Sequence, residues 1–174
     1  MKIRSMTATF GKLDHARLEL GDGLNLIYAP NEGGKSTWAA FWKAMLYGID
    51  TRDRDKKGYL ADKNRYQPWS GAPMEGTMDL EWQGRDITLR RGPKGSAPFG
   101  AFSAVYTGSG EAVDGLTAAD CGETLLGVPC EVYERSAFIR QSSLTVDASA
   151  ELERRIAALI TTGEEGQSFS EASA

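Results

Sequence analysis

Leu24-Asn25-Leu26-Ile27-Tyr28-Ala29-Pro30-Asn31-Glu32-Gly33-Gly34-Lys35-Ser36-Thr37 is the stretch on which the reading of this sequence turns. Its first five residues form a short, mostly apolar run, the pattern of a strand buried on both faces of a parallel sheet. Gly34-Lys35-Ser36 matches the end of the phosphate-loop pattern G-x-x-x-x-G-K-[ST], with Ala29 standing where the first glycine is expected. Residues 35–47 contain neither Gly nor Pro and place Trp38, Phe41, Trp42, Met45 and Leu46 at helical spacing, with Gly48 as the stop. Strand, glycine loop and helix thus occur in the order that a phosphate-binding loop requires.

Each position has a physical task. Successive backbone N–H groups must curl around phosphate oxygens, and Gly33 and Gly34 permit the backbone shapes and close approach this needs. The helix adds the positive end of its dipole. Lys35 is placed to reach the β- and γ-phosphates, Ser36 to coordinate Mg²⁺, and Thr37 to bond the α-phosphate side, so the expected ligands are ATP and Mg²⁺. Ala29 costs little if φ there is negative and about 1 kcal/mol if it is positive. An ordinary loop capping a helix is the competing reading, but the flanking strand and helix are the context the motif demands.

Outward from this core, residues 1–10 and 16–20 alternate apolar and polar positions about the turn Gly11-Lys12-Leu13-Asp14, which predicts a hairpin. The charged residues 50–65 predict a mobile surface loop. Met78, Leu80 and Trp82, then Ile87 and Leu89, flank the turn Gln83-Gly84 and predict a second hairpin over residues 76–91. Residues 92–100 read as a loop and 102–106 as a short strand. Helices are expected over 117–126 and from Cys130, then a strand over 136–140. A last helix, capped by Ser149, is expected over 149–162.

The chain has 174 residues, a net charge of −4 and a pI near 5.1. Affinity for nucleic acid through bulk charge is therefore not expected. Cys121 and Cys130 form no CxxC, and the single histidine, His15, completes no zinc site with them. The N-terminus lacks a long apolar run, and no stretch approaches the ~20 apolar residues of a membrane span. A cytoplasmic protein with reduced thiols and no membrane partner is expected.

Phe10-Gly11-Lys12, residues 24–28, Pro30 to Thr37 and Leu46-Tyr47-Gly48 together resemble the N-terminal ATPase lobe of SMC-like repair proteins, most of all the bacterial SbcC and YhaN-like ATPases. Tyr66-Gln67-Pro68-Trp69 and the following hairpin resemble the YhaN-type arrangement. The resemblance is specific over Pro30 to Thr37 and looser after Gly92. It implies an α/β P-loop NTPase fold of the ABC/SMC-head type, with a mixed sheet, an antiparallel N-terminal hairpin and flanking helices. It also implies Gln141 as a glutamine that senses Mg²⁺ and the γ-phosphate, and Lys12 as a basic residue near the nucleotide. The implied nucleotide site is Asn31, Glu32, Gly33, Gly34, Lys35, Ser36, Thr37 and Lys12, with Lys35 and Gln141 as catalytic groups and Ser36 and Gln141 at the metal.

Two family features are not visible in the sequence: an apolar strand ending in Asp-Glu, and a signature that closes over a partner's γ-phosphate. In the family both lie in a C-terminal lobe beyond a coiled coil. The resemblance therefore implies an N-terminal lobe over residues 1–148 and the start of a helix toward that coil over 149–174, with an isolated chain nearly inactive as an ATPase. The implied partners are the C-terminal lobe, a second ATPase head, DNA and a nuclease subunit, and the implied role is DNA double-strand-break repair or processing. A nucleotide-sensing module without catalysis, and a small-molecule kinase or transport ATPase, are the alternatives. Arg85, Arg90, Arg91 and Lys94 form a positive cluster read as a solvated hairpin face. Trp38, Phe41 and Trp42 are read as core.

Overall fold

The structure, a computed structural model, describes residues 1–138. The chain divides into two compact units, Met1–Gly127 and a second that begins at Val128. The first unit is built on a five-stranded sheet of order β2-β1-β3-β4-β5, comprising β1 (Lys2–Phe10), β2 (Leu13–Glu19), β3 (Glu75–Trp82), β4 (Arg85–Lys94) and β5 (Ala97–Tyr106). Every pairing is antiparallel. The helices are α1 (Lys35–Tyr47), the single turn α2 (Asp62–Arg65), α3 (Cys121–Leu126) and, in the second unit, α4 (Cys130–Ser136).

The two hairpins and α1 form as their periodicities predict. At the β3–β4 turn Gln83 and Gly84 both take positive φ, 52° and 74°, the twist that a two-residue hairpin favours. Residues 92–100 differ from expectation. They continue β4 and β5 as a ladder, with Gly92 opposite Ala101 and Lys94 opposite Ala97, and Gly95 (φ 59°) turns the corner. Ser136, expected to open a strand, is the last residue of α4. The expected helix from residue 149, the boundary at 148 and Gln141 lie outside the described residues.

The largest departure concerns residues 24–28. They form no strand, and the sheet is antiparallel rather than mixed. Leu24, Leu26 and Tyr28 are almost wholly exposed. The chain leaves the sheet edge after Leu20, whose N–H donates to the Arg4 carbonyl. Lys2 and Arg4 then hold Asp22, and their charge and hydrogen bonds keep its carboxyl below its ordinary value. The Asn25 side chain bonds the backbone of Gly21 and Gly23 instead of continuing a ladder. A strand needs neighbours for its N–H and C=O groups, and this run has none among the described residues.

Helix α1 lies across one face of the sheet. Phe41, fully buried, sits directly over Gly76 of β3, where an added Cβ would come within 2.3 Å of the ring. Phe10, Trp38 and Phe99 surround it; Phe10 meets Phe41 edge-on at 5.5 Å and stacks on Tyr66 at 4.8 Å. Trp38 and Phe41 are therefore core, as their spacing predicts. The opposite face of the sheet is polar: Asp79 accepts from Ser5 and Thr88 at 2.8 and 2.7 Å.

Arg91 corrects the expectation of a solvated basic face. It is 4% exposed, with its guanidinium under the C-terminal end of α1. Its Nε donates to the Met45 carbonyl at 2.9 Å, and its Nη2 to the Ala118 carbonyl at 2.9 Å and to the Leu46 carbonyl at 3.4 Å. Its ring partner is Phe102, at 4.8 Å. The last carbonyls of a helix lack intrahelical donors and carry the negative end of the dipole, so a cation there is favourable. Burial draws the Arg91 pKa down, and none of its partners is a carboxylate.

The charged stretch after Asp50 lies at the surface as expected, and it is internally bonded. Tyr59 Oη donates to Asp53 at 2.5 Å, which pushes the phenol pKa up to about 12. Asp55 accepts from the Ala61 N–H and the Asn64 amide, both at 2.8 Å, and so organises the start of α2.

Arg91→Met should lower the unfolding free energy by about 3 kcal/mol, because it leaves buried carbonyls without donors. Urea denaturation checks this, and a loss within about 0.5 kcal/mol would contradict the role given to Arg91. Burial pushes the Cys121 thiol up to about 11, against the opposing pull of Arg91. The raised value means that stability holds below 9, the ordinary value of this thiol, and falls as pH rises from there toward 11. Alkylation at pH 8 should leave Cys121 unmodified until the protein unfolds, read by mass spectrometry.

Candidate nucleotide-phosphate site

Residues 29–34 form the bend that leads into α1. Gly34 takes φ 88°, the left-handed conformation, as the residue before the helix, and Glu32 takes φ 63°. A residue with a side chain rarely adopts that conformation without local support. The Glu32 carbonyl is supported by Lys12, whose Nζ donates to it at 2.6 Å. Gly33 is closely packed: an added Cβ would lie 2.8 Å from both the Ala29 Cβ and the Pro30 oxygen. Its N–H donates to the Pro30 carbonyl at 3.0 Å. Ala29, at the variant position of the motif, is absent from the residues with positive φ, so alanine is not strained there.

No side chain caps the N-terminus of α1, and no acidic residue occupies its first turn. The N–H groups of the first turn lack intrahelical acceptors, and the helix dipole makes that end positive. Lys35, Ser36 and Asn31 are exposed beside it and Thr37 is half-buried. The Lys35 ammonium folds back onto the bend, donating to the carbonyls of Ala29 at 2.5 Å and Pro30 at 2.8 Å.

The β1–β2 turn packs against this bend. A Cβ on Gly34 would lie 3.3 Å from Leu13, and one on Gly11 (φ 56°) would lie 3.1 Å from the Thr37 methyl. The turn is fixed from the far side: Gly11 N–H donates to the Tyr66 carbonyl at 2.7 Å, and the Trp69 N–H donates to the Gly11 carbonyl at 2.9 Å. The structure thus gathers Lys12, Asn31, Glu32, Gly33, Gly34, Lys35, Ser36 and Thr37 in one place, with residues 66–69 as a brace that motif reading alone did not supply. Its sequence signal was present in Tyr66-Gln67-Pro68-Trp69.

Residues 1–67 match a family model described as an AAA domain. The matched segment contains β1, β2, the bend and the whole of α1. It supports an AAA-type P-loop ATPase domain, and with it nucleotide binding. No curated protein matches the chain. No helix among the described residues is long and apolar enough to cross a membrane.

The glycine at the start of the helix is held in the left-handed region. Gly34→Ala should cost about 1–2 kcal/mol, the strain of a side chain in the left-handed region. Chemical denaturation that finds stability unchanged would contradict the backbone geometry described for the bend.

Proposed function

We propose that this chain is the N-terminal lobe of an SMC-like ATPase head, binding ATP and Mg²⁺ at the bend of residues 29–37. The observation that carries this reading is a left-handed glycine feeding an uncapped 13-residue helix, with Lys35 at its first position and already directed onto the bend. The AAA-domain match over the same residues supports it.

The residues fit a triphosphate. Gly33 has no room for a side chain where the bend closes, and the first-turn N–H groups are available to anionic oxygens. Lys35 would exchange two neutral carbonyls for the β- and γ-phosphate oxygens, a stronger charge-assisted contact. Ser36, exposed at the same end, would contribute its hydroxyl to Mg²⁺; the ion would neutralise charge on the phosphate oxygens. Among the described residues no cluster of three or more histidine, cysteine or acidic side chains could hold a metal ion.

The exposed run of residues 24–28 supports the lobe interpretation. Leu24, Leu26 and Tyr28 are 98%, 89% and 91% exposed immediately before the bend. An apolar, strand-forming sequence of this kind calls for a partner that supplies both a ladder and a cover. A C-terminal lobe is the partner we assign to it. Gln141, a second head, DNA and a nuclease subunit belong to the same proposal through the family resemblance. ATP-driven closure of two heads in DNA repair would then be the activity of the assembled protein, and phosphoryl transfer would need positioning groups from both lobes.

Lys35→Ala should weaken ATP–Mg²⁺ binding by at least about tenfold, the worth of charged hydrogen bonds, while leaving the thermal transition in place. Isothermal titration calorimetry decides it. Equal affinity of the variant and the wild type would remove the site.

A further inference from the structure

We infer that Trp69, backed by Lys12, is a stacking platform for the base of the nucleotide whose phosphates the bend takes. This deepens the phosphate-loop reading and rests on it. Three observations point to Trp69. It is 75% exposed, so its ring adds little to the core. Its backbone is nevertheless fixed, since its N–H donates to the Gly11 carbonyl at 2.9 Å, and the turn that follows is closed by the Gly71 N–H donating to the Pro68 carbonyl at 3.0 Å. Third, one cation joins it to the phosphate bend: Lys12 Nζ lies 5.6 Å from the Trp69 ring centre and 2.6 Å from the Glu32 carbonyl.

Ring and bend are therefore neighbours on either side of a single ammonium. A flat, rigid aromatic held at such a distance from a phosphate cradle suits a nucleobase, because every base presents a π-face and stacking needs no particular hydrogen-bond pattern. Lys12 adds a positive charge between the ring and the phosphate end, attracted to the π-cloud on one side and to phosphate oxygens on the other. Tyr28, also exposed, belongs to the apolar run before the bend.

The test compares ATP with inorganic tripolyphosphate, which carries the phosphates and no base. Both are titrated with Mg²⁺ into the 174-residue chain and into Trp69→Ala and Trp69→Phe variants. The wild type should bind both, with ATP tighter. Trp69→Ala should lose on the order of tenfold in ATP affinity and nothing for tripolyphosphate, and Trp69→Phe should regain most of the loss. ATP binding by Trp69→Ala equal to that of the wild type, or equal losses for both ligands, would overturn the platform while leaving the phosphate bend standing. A wild type that binds neither ligand would overturn the bend and the platform together.

Discussion

A buried arginine holds the end of one helix, and the site depends on where that helix lies. Arg91 reaches from the sheet to the last carbonyls of α1 and to the Ala118 carbonyl before α3. The carbonyls of Met45 and Leu46 would otherwise face a core that cannot solvate them. Because α1 is a stiff rod, fixing its C-terminal end against β4 and its middle against Gly76 of β3 leaves little freedom at its N-terminal end. That end is the one that opens onto the bend.

The far end of the rod is set by a different device. There the β1–β2 turn supplies Lys12 to one carbonyl of the bend and Leu13 to the flank of Gly34. Residues 66–69 bond both backbone groups of Gly11 and keep the turn from lifting away. The aromatic cluster around Phe41 and Phe10 joins the two devices, since Phe10 directly precedes the turn and Phe41 lies on the helix. Backbone anchors and core packing thus converge on a site whose own residues are mostly exposed.

Much of this was legible in the sequence because it rests on local signals. The glycine pair, the lysine and the helical spacing after it are short-range features, and so are the alternations of the two hairpins. What was misread depended on distant partners. Charge groups Arg91 with Arg85, Arg90 and Lys94, although its place two positions beyond Leu89 and four beyond Ile87 assigns it to the inward side of β4. Charge suggested solvent, and period two gave the correct face. The apolar pattern of residues 24–28 suits a buried strand, but a ladder partner cannot be inferred from one segment. Residues 92–100 differ for another reason: the glycines and two prolines suggest irregular chain, while pairing across Gly95 keeps both strands extended.

The placement of Lys35 joins two parts of the chain into one lever. Its two acceptors are the carbonyls of Ala29 and Pro30, and Ala29 follows Tyr28 with no residue between them. A pull on the exposed apolar run therefore acts on the lysine's resting place within a single peptide bond. Whatever captures that run would act directly beside the two carbonyls on which the ammonium rests.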